Sequence, residues 1–309
     1  MSTGITHLAL VGPTASGKSM LALELAQHLG DVEVVSIDSM QVYRGMDIGT
    51  AKATPAERAA VPHHMLDVAE PGEDFSVARF QTEARAAVTD IERRGRRALL
   101  VGGTGLYVQA VIDDLRFPGE DLALRAELEA RTEEPGGVAA AYAELQRADP
   151  VAAARIDPHN ARRIVRALEV IQLTGERFSS FGGGVAAFGR TAFPVLVAGV
   201  WLPRPVLAKR IEARVEAMRH AGFVDEVTAL LAAPGLSRNA RQAIGYRELI
   251  EHLTGACSLD EAFAISARRT RSFARRQRMW FRRDPRVRWM AVPENPCDIA
   301  SALLALWKR

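Results

Sequence analysis

The run Gly12-Pro13-Thr14-Ala15-Ser16-Gly17-Lys18-Ser19 constrains this chain more than any other stretch. It satisfies the pattern G-x-x-x-x-G-K-[ST] at every fixed position. The apolar run Leu8-Ala9-Leu10-Val11 precedes it, and the apolar-periodic run Met20-Leu21-Ala22-Leu23-Glu24-Leu25-Ala26 follows. The motif therefore joins a strand to a helix, the context in which it binds phosphate. Glycines let the backbone curl so that successive N–H groups point at an anion. The start of the helix adds the positive end of its dipole. Lys18 supplies a mobile positive charge, and Ser19 is placed to hold a Mg²⁺ ion. Gly12, Thr14, Ala15, Ser16, Gly17, Lys18 and Ser19 are thus expected to cradle a diphosphate or a triphosphate. The loop alone does not say which, nor what becomes of it.

A chain of 309 residues holds one large domain or two smaller ones. Its 48% hydrophobic and 25% charged content suits a soluble globular protein. No apolar run reaches the length of a membrane span. The short apolar stretch after Met1 runs straight into the phosphate loop, so no signal peptide is expected. Cys257 and Cys297 show no metal-ligand spacing. Neither a disulfide framework nor a zinc site is expected, and the cytoplasm fits.

Net charge is only +3, but it is unevenly spread. Between residues 266 and 288 there are ten arginines, opposed only by Asp284 and interleaved with Phe273, Trp280, Phe281 and Trp289. A solvated charged helix usually mixes signs. This stripe reads as a binding surface for a polyanion, in particular nucleic acid. The competing reading is an arginine-rich helix that packs against acidic surface elsewhere in the fold.

The first third of the chain alternates strand and helix. Strands are expected at residues 7–11, 32–37 and 97–101, with helices from the phosphate loop to about 29 and over 76–94. Glu73-Asp74 is expected to cap the second helix, and residues 39–62 read as turn-rich. The alternation indicates a parallel sheet covered on both faces. Ligands of such sheets lie outside the carboxyl ends of the strands. Three strand ends therefore converge on one site: the phosphate loop, Asp38 and Thr104. After about residue 112 the texture changes to helical segments, 114–134, 138–147 and 160–174, followed by Phe181-Gly182-Gly183-Gly184, which reads as a hinge. Residues 194–202 form another buried strand, and the remainder is helical apart from a short strand at 287–292. The expected fold is α/β: a P-loop NTPase-like parallel sheet core, residues 1–113 and 191–309, interrupted by an all-helical insertion at 114–190.

An ordinary nucleotide hydrolase carries a second acid at a strand end to help hold Mg²⁺. Asp38 is the one good candidate, because the strand before Gly102-Gly103-Thr104 brings no acid. That pattern suits a compact transferase better than a hydrolysing motor.

Asp38-Ser39-Met40-Gln41-Val42-Tyr43-Arg44-Gly45-Met46-Asp47-Ile48-Gly49-Thr50-Ala51-Lys52 resembles the signature of the tRNA dimethylallyltransferases, also called tRNA isopentenyltransferases. So do Val61-Pro62-His63-His64-Met65-Leu66-Asp67 and Val101-Gly102-Gly103-Thr104-Gly105-Leu106-Tyr107. Further similar blocks are Arg163-Ile164-Val165-Arg166-Ala167-Leu168-Glu169, Ile244-Gly245-Tyr246-Arg247, and Ala274-Arg275-Arg276-Gln277 with Trp280-Phe281-Arg282. The blocks span nearly the whole chain in order, and the first is highly specific.

The resemblance implies transfer of a dimethylallyl group from dimethylallyl diphosphate to N6 of the adenosine 3′-adjacent to the tRNA anticodon. It implies Asp38 as the base, with Lys18 and Thr104 at the reacting centre and Mg²⁺ as cofactor near Ser19. It places Arg214 near the diphosphate; a surface ion pair with Glu212 or Asp225 is the other reading. It implies tRNA contacts at Asp38, Ser39, Met40, Gln41, Thr104 and Arg125, and at Arg162, Arg163, Ile164, Val165 and Arg166. Further tRNA contacts are implied at Gln242, Gly245, Tyr246, Arg247, Arg275, Arg276, Gln277, Trp280 and Arg282. For Arg125 the other reading is a solvent-facing helix arginine, and for Trp280 and Phe281 it is core packing. The insertion is expected to pivot and clamp the anticodon stem-loop. A monomer with no membrane partner is expected.

The chain departs from the family pattern at Met40, often alanine, and Met279, often threonine. Arg162 stands for a common glutamine and Arg275 for a common lysine. No zinc-finger extension follows the basic stripe, which suggests the bacterial form. His63-His64 reads as structural hydrogen bonding rather than zinc ligation. The alternative functions are a small-molecule P-loop kinase, which has no need of the arginine stripe, and an inactive RNA-binding regulator, which has no need of an intact Lys18, Ser19, Asp38 and Thr104.

Overall fold

The computed structural model describes residues 6–113, 115–181, 188–232 and 235–307. Its sheet has six strands in the order β3-β2-β4-β1-β5-β6, every neighbouring pair parallel. They are β1 (His7–Val11), β2 (Val32–Ile37), β3 (His63–His64), β4 (Arg97–Gly102), β5 (Val195–Trp201) and β6 (Val287–Ala291). Successive side chains of a strand point to opposite faces. Here both faces are buried, which explains the unbroken apolar runs. Ala9, Val11, Val35, Ile37 and Leu100 enter one core, while Leu8, Leu10, Val34, Leu99 and Val101 enter a second.

Between the first four strands run α1 (Lys18–Leu29), α2 (Pro55–Ala60) and α3 (Val77–Arg93), and α4 (Gly105–Ile112) follows β4. The segment expected to be turns contains α2, which starts with a capping box: Thr54 and Glu57 satisfy each other's backbone N–H, and Pro55 occupies the first turn. The cap of α3 is Ser76, whose hydroxyl accepts from the Arg79 N–H at 3.2 Å. Glu73-Asp74 do not cap it, because they lie too far upstream to reach the free N–H groups; Glu73 instead accepts from Arg79 Nη1 and the Glu70 N–H.

The chain divides into two compact units, residues 1–114 with 188–309, and residues 115–187. The smaller unit contains α5 (Leu122–Glu133), α6 (Gly137–Ala148), α7 (Pro150–Ala153) and α8 (Ala161–Thr174). Leu128, Leu145, Ile164, Val165 and Leu168 form its separate core. The expected glycine hinge, Gly182-Gly183-Gly184, lies outside the described residues. In the larger unit, β5 is followed by α9 (Arg204–His220), α10 (Phe223–Ala232), α11 (Arg238–Arg241), α12 (Tyr246–Leu253) and α13 (Leu259–Phe281). After β6 comes α14 (Ala300–Trp307). Among the described residues, no helix is long and apolar enough to cross a membrane.

Candidate active site

The phosphate loop leaves β1 and turns into α1 at Gly17, which has φ +89°. A side chain there would be strained, and a Cβ would lie 2.4 Å from Pro296. Lys18 Nζ donates to the carbonyls of Gly12 at 3.0 Å and Pro13 at 2.7 Å. Burial, and then the neighbouring Arg214, lower the Lys18 ammonium to about 7, with Asp38 pulling the other way. Arg214 Nη1 donates to Thr14 Oγ1 at 3.1 Å, so this arginine stands at the loop rather than pairing with Glu212 or Asp225. Ser16 Oγ is buried with no hydrogen-bond partner, a donor left open beneath the loop. Ser19 is exposed at the start of α1. The Thr14 N–H is already taken: it donates to Gln277 Oε1 at 2.8 Å, which removes one backbone donor from an incoming anion.

Asp38 follows the last residue of β2. Its Oδ1 accepts from the Met40 N–H at 2.8 Å and the Gln41 N–H at 3.4 Å, a local turn that fixes the carboxylate. Oδ2 has no hydrogen-bond partner among the described residues. Gln41 is fully engaged, accepting from Ser36 Oγ and donating to the Thr50 carbonyl. The loop after Gln41 is held from outside by Glu226 on α10, whose carboxylate accepts the N–H groups of Asp47, Ile48 and Gly49. Lys52 is buried within the same loop against Asp47, Asp67 and the Tyr43 carbonyl. Thr104 is the residue before α4, yet its hydroxyl makes no capping bond.

These elements enclose a cavity of about 1050 Å³ lined by Thr14 to Ser19, Asp38, Gln41, Gly103, Arg210, Arg214 and Gln277. Thr104, Ser39 and Met40 are not in its lining, and Gly12 enters only through its carbonyl on Lys18. Sequence reasoning missed Arg210, which donates to the Pro293 and Glu294 carbonyls. Its position four residues before Arg214, on one helix face, was the available signal. The approach of α13 needs small neighbours: a Cβ on Gly103 would meet Gln277 at 2.3 Å, and one on Gly105 would meet Trp280 at 2.2 Å. Trp280 thus packs against the top of the sheet with Phe281, the packing reading for both residues.

Several residues expected to touch RNA are turned inward. Tyr246 is 0% exposed and donates its hydroxyl to Glu226 at 2.6 Å. Ile164 and Val165 are buried in the core of the smaller unit, and Gln277 is buried on the phosphate loop. Gly245, with φ +93°, is buried against Phe223. The side chains of Tyr246, Ile164 and Val165 cannot meet a polyanion without unpacking, whereas Gln277 reaches the lining of the cavity. Arg125 is neither solvent-facing nor unpaired: its Nε meets Glu169 at 3.0 Å, and Arg166 meets the same buried carboxylate at 2.9 Å. Arg247 pairs with Glu251 at 2.9 Å. Arg162, Arg163, Gln242, Arg275, Arg276 and Arg282 are exposed. Of the stripe, Arg269 pairs with Glu248, Arg271 with Glu212, and Arg286 with Asp113 and Asp284. The other seven arginines have no carboxylate partner among the described residues, so acidic packing accounts for only part of the stripe. The histidine pair is structural: His64 meets Glu33 at 2.7 Å and His63 the Val61 carbonyl at 2.7 Å.

A family profile described as IPP transferase matches residues 41–284, and one described as isopentenyl transferase matches residues 5–68. The chain belongs to the IPP transferase family. It is 50% identical over 310 aligned residues to the tRNA dimethylallyltransferase of Kineococcus radiotolerans, covering 97% of this chain and 95% of that one. A solved tRNA isopentenylpyrophosphate transferase from Bacillus halodurans superposes with a TM-score of 0.70 at 41% identity, over 98% of this chain and 97% of that chain. A eukaryotic dimethylallyltransferase solved acting on tRNA superposes with a TM-score of 0.81 at 26% identity, over 98% of this chain and 78% of that chain. In this IPP transferase, the phosphate loop, Asp38 and Thr104 follow β1, β2 and β4, at one end of the sheet. None of the relatives named here is a kinase, so the kinase alternative finds no support.

Proposed function

We propose that this chain transfers the dimethylallyl group of dimethylallyl diphosphate to N6 of the adenosine 3′-adjacent to the tRNA anticodon, releasing diphosphate. The observation that carries the mechanism is one cavity shared by the phosphate loop and the unpartnered Asp38 Oδ2. The diphosphate sits against Lys18, Arg214 and the Ser16 hydroxyl. There it leaves with the electron pair of the allylic C–O bond, its growing charge met by preorganised cations. N6 forms the new C–N bond and gives up a proton to Asp38 Oδ2. The adenine amine is a weak nucleophile because its lone pair is spread into the ring. A positioned base is typically worth ~10²–10⁴-fold for such a step. Thr104, whose hydroxyl is not spent on its helix, orients the acceptor or the diphosphate.

Mg²⁺ fits this chemistry. Among the described residues no group of three or more His, Cys, Asp or Glu side chains forms a metal site. Mg²⁺ does not need one, since it commonly keeps several waters and shares substrate phosphates with one or two protein oxygens. Ser19 is the residue that would hold it, and the ion would neutralise charge on the leaving diphosphate.

An adenine stacked in a loop cannot reach a half-buried carboxylate, so the target base is extruded, which costs a few kcal/mol. The exposed arginines of α13, with Gln242, supply the phosphate contacts that offset this. Arg162 and Arg163 of the insertion add to the same RNA-binding role. One chain supplies every proposed catalytic group, so a monomer suffices, acting in the cytoplasm where tRNA is found.

The test is incubation of the purified chain with unmodified tRNA, dimethylallyl diphosphate and Mg²⁺, followed by mass spectrometry of the nucleosides. The reading expects N6-dimethylallyladenosine beside the anticodon. Unmodified adenosine there contradicts it.

A further inference from the structure

A second cavity, of about 560 Å³, lies between α9 and α13, on faces other than those that line the donor cavity. Its size is in the ~300–1,000 Å³ range of small-ligand sites. Arg204, Arg268, Arg275, Arg278 and Arg282 line it, and none has a carboxylate partner among the described residues. Arg271 also lines it and is paired with Glu212. Arg278 is held over the Trp201 ring at 5.5 Å, so one guanidinium is oriented in advance. Met279, on the same wall, is 63% exposed. A large apolar side chain standing among unpaired arginines offers a surface to a ligand that is part apolar and part anionic.

We propose that this cavity is a second nucleotide subsite, which seats one unpaired nucleotide of the RNA strand next to the extruded adenosine. The base lies against Met279 and the Trp201–Arg278 stack, and its phosphates meet Arg275 and Arg282. Stacking on a π-face or guanidinium plane, with cations tracking the backbone, is how single strands are held. A strand is favoured over a free nucleotide because the unpaired arginines continue past the cavity to Arg276 and Arg283. Apart from arginine, Ser272 and the indole N–H of Trp201 are the polar groups that the described residues of the lining offer to read a free ligand's edges. The proposal rests on the tRNA reading above.

The test uses the full chain and anticodon stem-loops carrying 2-aminopurine at one unpaired position at a time. One flanking position is expected to change fluorescence on binding. Met279→Glu and Arg278→Ala should each remove that change and weaken RNA binding by about 5- to 10-fold. The change at the target position should persist, and Met279→Glu should melt with the wild type, since Met279 is exposed. Flanking signals that are the same in wild type and variants overturn the subsite. So does loss of the flanking signal to added adenosine monophosphate at constant RNA affinity, which would mark a free-nucleotide site. If the wild-type chain binds no stem-loop at all, the tRNA reading fails first, and with it the subsite.

Discussion

Near the amino-terminal end of the sheet, Glu33 is 1% exposed and is held by Arg94 at 2.8 Å, Arg96 at 3.2 Å and His64 at 2.7 Å. Beside it, Arg97 forks onto Asp31, with bonds of 2.9 and 2.6 Å. At the carboxyl end of the same strands, Lys18 and Arg214 have no carboxylate partner among the described residues. There Asp38 keeps one oxygen free, and Ser16 and Thr104 keep their hydroxyls. Burying a polar group without a partner is unfavourable, so a fold tolerates it where a ligand will supply the partner. The matched charges hold the sheet together; the unmatched ones are the groups to which the proposed function gives substrate contacts. Mutations at the two ends should therefore fail in different assays.

Arg214→Ala should separate the two ends by a large margin. Removing a donor aimed at developing charge typically lowers rate by ~10²–10³-fold. The loss is expected in kcat/KM for dimethylallyl diphosphate, with little change in melting. A variant that unfolds instead would move Arg214 to the structural class.

Glu33→Gln should do the reverse. The hydrogen bond from Arg94 holds the Glu33 carboxyl down from its ordinary 4.5 to about 2, against the opposing effect of burial. A depressed carboxylate stabilises the fold above its unfolded pKa, and that stability is lost as pH falls through the folded value. The wild type should exceed the variant by on the order of 2–3 kcal/mol at pH 7 in denaturant titrations. The gap should close between about pH 4.5 and pH 2. Turnover at pH 7 should not change; a fall in turnover without a fall in stability would break the comparison.

The smallest effect is a proton. Lys18 is lowered to about 7 by burial and by Arg214, and an incoming diphosphate favours the charged ammonium again. Its pKa is then higher in the complex, so affinity is greatest below pH 7 and declines as pH rises above it. Calorimetry at pH 8 in buffers of different ionisation enthalpy should show uptake of close to one proton per diphosphate, in excess of Lys18→Arg. Equal uptake by the two proteins would mean that Lys18 stays charged in the free site.

Much of the carboxyl end was legible in the sequence, because its chemistry is local. The phosphate loop, the strand ending at Asp38 and the turn at Thr104 are each read within a few residues. The edge strand His63–His64 was not, since two residues carry no alternation. Helix α2 announced itself only through Thr54-Pro55 and Glu57. The arginine stripe was legible as charge but not as a division of labour. Arg269 and Arg286 find partners at Glu248 and Asp113, 21 and 173 residues away. The partner of Tyr246 was hidden in the same way: its block resembles a family motif, while its side chain bonds Glu226, 20 residues away, which in turn fixes the loop beside the donor cavity.

The contrast between the two ends turns on Asp38, whose Oδ1 is committed to the turn and whose Oδ2 is not. Single-turnover prenylation by Asp38→Asn, at saturating tRNA and dimethylallyl diphosphate, measures the role of that free oxygen. The substitution keeps an oxygen for the Met40 and Gln41 N–H groups and removes the base. The predicted result is a rate ~10²–10⁴-fold below wild type with tRNA affinity retained. A rate close to wild type would contradict the assignment of Asp38 as proton acceptor.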